Sequence, residues 1–424
     1  MEKSLKTYEV QSKQKTLAAT ICFLISFTPI LIFIKSISGF FVGEWFNLDT
    51  FMMYLIMLSM FAKSFLIVGR SLKLDVIFMI LFFSFVYMAT YLFFPANREL
   101  MFTSVSDLLG NPLYVLFFFS ISGYVLIRYI TDYNLLYDYL TVSSVTVGIC
   151  SISTYFIQLF RGMNLEYMTF SYNMTLHTSF LLAMYFERKK PLFLVIGLLC
   201  FTAIILTGAR GPLVCIAFSL LLYLFLRKAP LLNKMRVFML LATSLLFIAL
   251  FFDSILSWLI FISDKFGMNS RTLQLLMNNS IFNDSGRGMI WTAIIKSFSL
   301  FGAGLYGDKL ISDGHYAHNL FIEVMAQFGY VFGPIIICTV LLVIFSGIKS
   351  RNKKIRNLVT IFLSTGFIKL FLSGSYLNME PAFYILLGLG VNSIHHSKED
   401  ESENIVVVQH NATDCFKQFK QTGR

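Results

Sequence analysis

Long apolar runs dominate this sequence and limit the folds that are open to it. The chain has 424 residues, of which 57% are hydrophobic and 13% are charged, and 47 of them are phenylalanine. Many apolar runs reach roughly 20 residues, the length at which an α-helix crosses the hydrocarbon core of a bilayer. A transmembrane β-barrel would instead show short segments of alternating hydrophobicity, and none are visible. The sequence therefore predicts an all-α, polytopic membrane protein.

The apolar runs predict about 12 transmembrane helices. In chain order they are residues 16–34, 51–69, 74–94, 112–130, 139–160, 172–186, 191–206, 212–226, 237–252, 319–345, 357–373 and 381–394. The connection between spans 9 and 10 is much longer than the rest, and its aromatic residues predict short helices against the membrane surface. The expected organisation is a tail (1–15), nine spans (16–252), this long loop (253–318), three spans (319–394) and a second tail (395–424).

Lysines and arginines are distributed unevenly between the two sets of alternate loops. One set, with the N-terminal tail, holds Lys3, Lys6, Lys13, Lys15, Arg70, Lys73, Arg128, Arg188, Lys189, Lys190, Arg227, Lys228, Lys234, Arg236, Lys349, Arg351, Lys353, Lys354 and Arg356. The short loops of the other set hold only Lys35, Arg98, Arg161 and Arg210. Because basic loops stay in the cytoplasm, both termini are predicted to be cytoplasmic and the long loop extracytoplasmic. The net charge of +11 then reflects topology, and no nucleic-acid partner is expected.

Three residues suited to phosphorylated substrates fall on the predicted outer face. Arg210 occupies a glycine-containing turn between spans 7 and 8, Arg287 lies between two glycines in the long loop, and His318 opens span 10. Arginine offers a planar set of donors that matches phosphate oxygens. Histidine titrates near neutrality and can take a proton from a hydroxyl group. Together they predict transfer of a group from a phosphorylated donor to an alcohol.

Each of these residues also has a structural interpretation. Arg210 would then contact lipid head groups, Arg287 would be an ordinary surface arginine, and His318 would bond backbone groups at a helix start. Neighbours of His318 are candidates for sugar contacts or for structural roles, namely His315, Asn319 and Glu323.

Two further pairs of residues predict contacts between helices. Glu323 and Lys369 lie at similar depth in spans 10 and 11, and an ion pair between them is expected. Gly329 and Gly333 form a GxxxG pattern, which is typical of close helix contact.

Motifs in the second half of the chain resemble those of O-antigen polymerases and O-antigen ligases, a family of bacterial membrane glycosyltransferases. They are Thr207-Gly208-Ala209-Arg210-Gly211, Gly286-Arg287 with Trp291, Phe301-Gly302-Ala303-Gly304-Leu305-Tyr306-Gly307, and His318-Asn319 followed by Gly329. The next glycine, Gly333, comes one position later than in the family pattern. The first half resembles the family only in its layout of apolar runs.

The resemblance implies a polymerase of O-antigen or another surface polysaccharide in the bacterial inner membrane, with its active site facing the periplasm. It implies that Arg210 and Arg287 hold the pyrophosphate of an undecaprenyl-pyrophosphate-linked oligosaccharide. His318 would activate the acceptor hydroxyl of an incoming lipid-linked repeat unit, with inversion at the sugar carbon. No metal-binding spacing stands out, so a metal-independent reaction without cofactors is expected. Membrane lipids, a chain-length regulator and a flippase of the same pathway are the further implied partners.

Two alternative functions stay open. An O-antigen ligase would transfer the glycan to the lipid A core, and the motifs do not separate it from a polymerase because both use the same donor. A transporter or flippase for a lipid-linked or anionic substrate would need polar residues and helix breaks near the middle of the bilayer. Pro29 and Lys63 are the main internal interruptions, whereas the ionisable candidates cluster at one face, which favours an enzyme.

Overall fold

The computed structural model describes residues 2–41, 48–102, 111–161, 166–207, 209–227, 257, 261 and 287–395. Secondary structure within these ranges is helical, and they contain no strand. The predicted all-α class is therefore confirmed for the part of the chain that is described. The predicted ninth span (237–252), most of the long loop before Arg287 and nearly all of the C-terminal tail lie outside the described residues.

Thirteen main helices are described. They are α1 (Glu2–Phe41), α2 (Leu48–Val68), α3 (Leu74–Phe93), α4 (Pro112–Ile127), α5 (Tyr133–Arg161), α6 (Tyr167–Arg188), α7 (Pro191–Thr207), α8 (Arg210–Leu226), α9 (Arg287–Lys296), α10 (Gly307–Ile311), α11 (Leu320–Ile348), α12 (Lys353–Leu372) and α13 (Pro381–His395). Two short helical turns, Pro95–Asn97 and Arg98–Met101, follow α3. The predicted N-terminal tail is helical from Glu2 onwards and continues directly into the first span.

Six of these helices are long and apolar enough to cross a membrane, namely α1, α2, α3, α5, α11 and α12. Four more, α4, α7, α8 and α13, are apolar but shorter. Each coincides with a predicted span, and so does α6. The described helices thus indicate a membrane-embedded protein, while the number of 12 spans stays a prediction.

The least apolar of the predicted spans, α6, is surrounded by other helices. It packs against α5, α7 and α8, so that its side chains face protein on several sides. Some of its polar side chains find partners there: Nδ1 of the buried His177 lies 3.0 Å from Ser144 Oγ, and Ser219 Oγ donates to Ser179 Oγ at 3.1 Å. Hydrogen bonds between helices thus satisfy part of this polar sequence.

One end of the bundle is fixed by a buried ion pair. Arg128, after α4, donates to both carboxylate oxygens of Asp75 at the start of α3 and to Asn392 Oδ1 in α13. Only 3% of the Arg128 side chain is exposed. This arginine, counted above among the residues that set topology, therefore also joins three helices. The opposite end, where α6, α8 and α11 begin, is called the site end below.

At the site end, α9, α10 and their connecting loops pack onto the first half of α11. A small apolar cluster separate from the main core holds them together, with Ile294, Ala317 and Ala326 at its centre. The loop between α9 and α10 is also fixed to the end of α3. Asn97 Nδ2 donates to the backbone oxygens of Ala303 and Leu305, at 2.7 and 2.8 Å.

Helix α11 is interrupted at Gly329, whose φ of 69° and ψ of −171° are not helical. The glycine-rich loop before α10 pairs with this break through four backbone hydrogen bonds of 2.8–3.1 Å. They are Ala303 N to Ala326 O, Gly304 N to Gln327 O, Tyr330 N to Ser299 O and Val331 N to Leu300 O. A Cβ on Gly329 would lie 2.3 Å from Gly302 N, so the two backbones touch.

The predicted role of the GxxxG pattern is therefore wrong. Gly329 permits a helix break against a loop, and a Cβ on Gly333 would meet Met325, one turn before the break on the same helix. Within the described part of the chain, neither glycine mediates a contact between two regular helices.

Candidate functional site

The three residues singled out by the sequence start or precede helices at the site end. Arg210 is the first residue of α8, Arg287 is the first described residue of α9, and His318 lies two residues before α11. The side chain of Asn319 caps α11 by accepting hydrogen bonds from the backbone nitrogens of Phe321 and Ile322 at 3.0 and 3.3 Å. Of its two predicted roles, this geometry supports the structural one.

Arg287 acts electrostatically on His318. Burial, with smaller contributions from the neighbouring charges of Arg287 and His315, lowers the pKa of His318 to about 4. The expected titration near neutrality is therefore wrong for the protein without substrate. At neutral pH the imidazole is uncharged and has a lone pair available for a proton.

The backbone and ring of His318 are held in an unusual arrangement. Its φ of 50° lies in the left-handed region, which is costly for a residue with a Cβ atom. The Tyr316 ring packs against the imidazole, with centroids 4.0 Å apart. Nδ1 is buried and, among the described residues, has no hydrogen-bond partner. His315, in contrast, is exposed.

Tyr172 in α6 connects the turn of Arg210 with Arg287. A Cβ on Gly211 would lie 1.9 Å from the Tyr172 hydroxyl oxygen, so only glycine lets α8 begin so close to this tyrosine. Arg287 acts electrostatically on the same hydroxyl. The Lys369 ammonium lies 5.3 Å from the centre of the Tyr172 ring. The structure thus brings all three predicted residues to one region and adds Tyr172 and Lys369, which motif reasoning did not assign to the site.

The predicted ion pair between Glu323 and Lys369 is wrong. Lys369 Nζ pairs with Glu380, in the loop between α12 and α13, and both side chains are largely buried. Glu323 instead accepts a hydrogen bond from Ser375 Oγ, and its carboxylate lies 3.4 Å from Gln327 Nε2. Lys369 directly follows a π-helical segment, Ser364–Ile368, and this irregular turn changes the direction of its side chain. The spacing of residues in the sequence therefore does not predict which carboxylate Lys369 meets.

Glu323 belongs to a buried polar cluster beneath the His318 loop. Gln327 is its centre: Nε2 donates to Asp308 Oδ1 at 2.9 Å, and Oε1 accepts from the Tyr376 hydroxyl. Glu323 and Asp308 are each 1% exposed. These contacts give Glu323 a structural role rather than one in sugar contact.

Comparison with family models, with curated proteins and with solved structures found no match to this chain. The family resemblance therefore rests on the sequence motifs alone.

The charges at the site end suit an anionic group. Arg287 and Lys369 lie near Tyr172, and Arg210 precedes Gly211, whose backbone approaches the Tyr172 hydroxyl. Glu380, an acidic group of this region, is already paired with Lys369. An uncharged imidazole lies next to one of the arginines. Among the described residues, no cluster of three His, Cys, Asp or Glu side chains could hold a metal ion. The arrangement can bind a phosphate-like group and accept a proton beside it.

Proposed function

We propose that this protein is a membrane glycosyltransferase that polymerises a lipid-linked surface glycan. The growing chain moves from its undecaprenyl pyrophosphate carrier to a hydroxyl of the next lipid-linked repeat unit. One observation carries the proposal: Arg287, a cationic group suited to pyrophosphate, lies near enough to the half-buried imidazole of His318 for its charge to act on that ring. A phosphorylated leaving group and a base are what such a transfer requires.

Binding of the donor would itself activate the base. A pyrophosphate opposite Arg287 neutralises the positive charge that depresses the pKa of His318, so that this pKa rises toward its ordinary value. His318 then accepts the proton of the acceptor hydroxyl as the acceptor oxygen forms a bond to the anomeric carbon. The bond from that carbon to the phosphate oxygen breaks, and the electron pair leaves with the lipid pyrophosphate. A single displacement inverts the anomeric carbon.

An apolar groove supports a lipid-linked donor. A cavity of about 450 Å³ lies between α3, α11 and α13, and it is lined almost wholly by apolar side chains. It extends from Leu320, two residues after His318, past Val340 and Val343 to Asp75 at the opposite end. A prenyl chain in this groove would leave its pyrophosphate at the site end.

The proposal is tested by combining the purified protein with lipid-linked repeat units isolated from a strain in which the protein is deleted. Arg210→Lys and Arg287→Lys should each lower polymer formation by about 100-fold, because lysine lacks the paired donors for pyrophosphate oxygens. His318→Ala should lower it by roughly 100- to 10,000-fold, and His315→Ala by much less. Arg351→Lys, exposed at the opposite end, is the matched control.

The ligase alternative makes a different product. If the wild type transfers preformed polymer to a lipid A core acceptor and does not elongate lipid-linked units, the protein is a ligase. If the wild type transfers no sugar to either acceptor, the proposed function is wrong.

A further inference from the structure

Both polar backbone atoms of Ala317, the residue before His318, are held by side chains from other elements. Trp291 Nε1 donates to Ala317 O at 2.6 Å, and Ala317 N donates to Asp308 Oδ2 at 3.2 Å. Ala317 itself is 0% exposed. Since water cannot replace these bonds at a buried position, they determine where the chain enters His318.

The first bond leads to the candidate arginine. Trp291 lies four residues after Arg287 in α9, which places both on the same face of that helix. The indole that bonds Ala317 is therefore one turn from the guanidinium that acts on His318. Helix α9 therefore carries the arginine and, through Trp291, is hydrogen-bonded to the histidine loop.

The second bond leads into the transmembrane helices. Asp308 Oδ1 accepts from Gln327 in α11 at 2.9 Å, and Gln327 accepts from the Tyr376 hydroxyl beyond α12. Burial raises the pKa of Asp308, while the hydrogen bonds from Gln327 and Ala317 oppose that rise. Asp308 thus anchors the loop to two parts of the bundle.

We propose that Trp291 and Asp308 are positioning residues that hold the His318 imidazole at a fixed place beside the Arg287 guanidinium. A left-handed φ at a histidine persists only where its surroundings enforce it, and the two bonds to Ala317 supply that enforcement. The catalytic consequence rests on the proposed function, whereas the placement of His318 does not.

The placement is tested without any glycan substrate. Diethyl pyrocarbonate acylates only the unprotonated imidazole, so its rate at His318, followed by mass spectrometry across pH, reports the apparent pKa in the purified full-length protein. Among the described residues, the titratable groups that act on or contact His318 are Arg287 of α9 and, in its own loop, His315 and Tyr316. Removing the arginine charge by Arg287→Gln should raise this apparent pKa.

Trp291→Phe keeps an aromatic ring but removes the indole N–H. Like Arg287→Gln, it should raise the apparent pKa of His318, because the arginine is no longer held beside the imidazole. The double variant should shift it no further than Arg287→Gln alone. Met289→Leu, an exposed change on the same helix, should leave the titration as in the wild type.

Asp308→Asn is a second, independent variant for the case that Trp291→Phe does not fold. Asparagine has one acceptor oxygen where Asp308 uses two, so one of the bonds to Gln327 and Ala317 is lost. Its control is Asp313→Asn, the same change at an exposed position of the same loop. A wild-type His318 titration in folded Trp291→Phe or folded Asp308→Asn, or in Arg287→Gln, would overturn the proposal.

Turnover gives a further readout once polymerisation is established. Trp291→Phe should lower kcat by about tenfold to 100-fold with little change in KM, because the base is misplaced while the donor still binds. In a His318→Ala background the same change should have no additional effect. If Trp291→Phe lowers kcat by the same factor in the His318→Ala background, Trp291 only supports the fold. If the wild type shows no turnover, the proposed function fails, whereas the acylation experiment still decides the placement of His318.

Discussion

At the scale of single residues, the proposed mechanism makes His318 a base whose strength would depend on what is bound at the neighbouring arginine. Without an anion, burial and the charge of Arg287 keep its pKa at about 4, and the imidazole is a weak proton acceptor. A bound pyrophosphate would remove the repulsion from Arg287, while the effect of burial would remain. Proton abstraction would then be more favourable with a donor present than without one, which would limit unproductive transfer to water.

This coupling predicts a difference between two pH profiles. The profile of kcat/KM reports the free enzyme, so it should fall only below about pH 4 and stay flat from about 5 to 8. The profile of kcat reports the enzyme with donor bound, and its acidic limb should lie at higher pH. Steady-state rates across this range measure both, and Arg287→Gln should move the kcat/KM limb upward. A wild-type kcat/KM limb near pH 6.5 would contradict the coupling.

Sequence reasoning singled out the candidate residues but not their surroundings. Arg210, Arg287 and His318 could be found because arginine beside glycine, and histidine at a helix start, are local patterns. The partner of Lys369 could not, because Glu380 and Glu323 are both acidic and only the irregular end of α12 selects between them. The bonds from Trp291 and Asp308 to Ala317 depend on how loops fold onto α11, which periodicity does not encode.

At the scale of elements, every predicted span except the ninth, which lies outside the described residues, coincides with a described helix, because hydrophobic length is a strong signal. The break in α11 went unpredicted, since glycine within an apolar run is as compatible with a packed helix as with an interrupted one. Its cause is the backbone of the Gly302 loop, which occupies the place where a continuous helix would run. Contacts of this kind join segments that are distant in sequence.

The break at Gly329 predicts an unequal response of two glycines to alanine. Gly329→Ala would place a Cβ 2.3 Å from Gly302 N in addition to straining a positive φ, whereas a Cβ at Gly314 meets nothing within 4 Å. Gly314→Ala should therefore cost about 1 kcal/mol from strain alone, and Gly329→Ala about 2–4 kcal/mol more. Thermal unfolding in detergent measures the difference, and equal midpoints would argue against the backbone contact.

The groove beside α11 gives a second prediction at this scale. Val340→Trp places a large side chain in the groove, whereas Leu342→Trp lies on the lipid-facing side of the same helix, where Leu342 is 68% exposed. Each methylene of a prenyl chain excluded from the groove forfeits about 0.8 kcal/mol. Val340→Trp should therefore raise KM for the lipid-linked donor by about tenfold or more, and Leu342→Trp should not. The same KM for both variants would place the lipid elsewhere.

At the scale of the whole molecule, the distribution of basic residues predicts which end faces the cytoplasm. The site end should be extracytoplasmic, since the short loops near it carry few lysines and arginines. Asp313→Cys, exposed in the His318 loop, should react with an impermeant maleimide in intact spheroplasts, in a variant without native cysteines. Arg351→Cys, after α11, should react only once the membrane is opened. The reverse pattern would remove the lipid-linked donor from consideration.

The interrupted helix α11 also bears on how the protein is made. Residues 299–304 leave the ribosome before residues 326–331, yet each supplies backbone partners to the other. A peptide group inserted into hydrocarbon without a partner costs several kcal/mol, so the break cannot settle stably in the bilayer alone. In the predicted topology, the loop has to be translocated and lie beside α11 before this helix is released from the insertion machinery. Membrane integration of this span is thus tied to the folding of a segment outside it, and biogenesis of the two is one event.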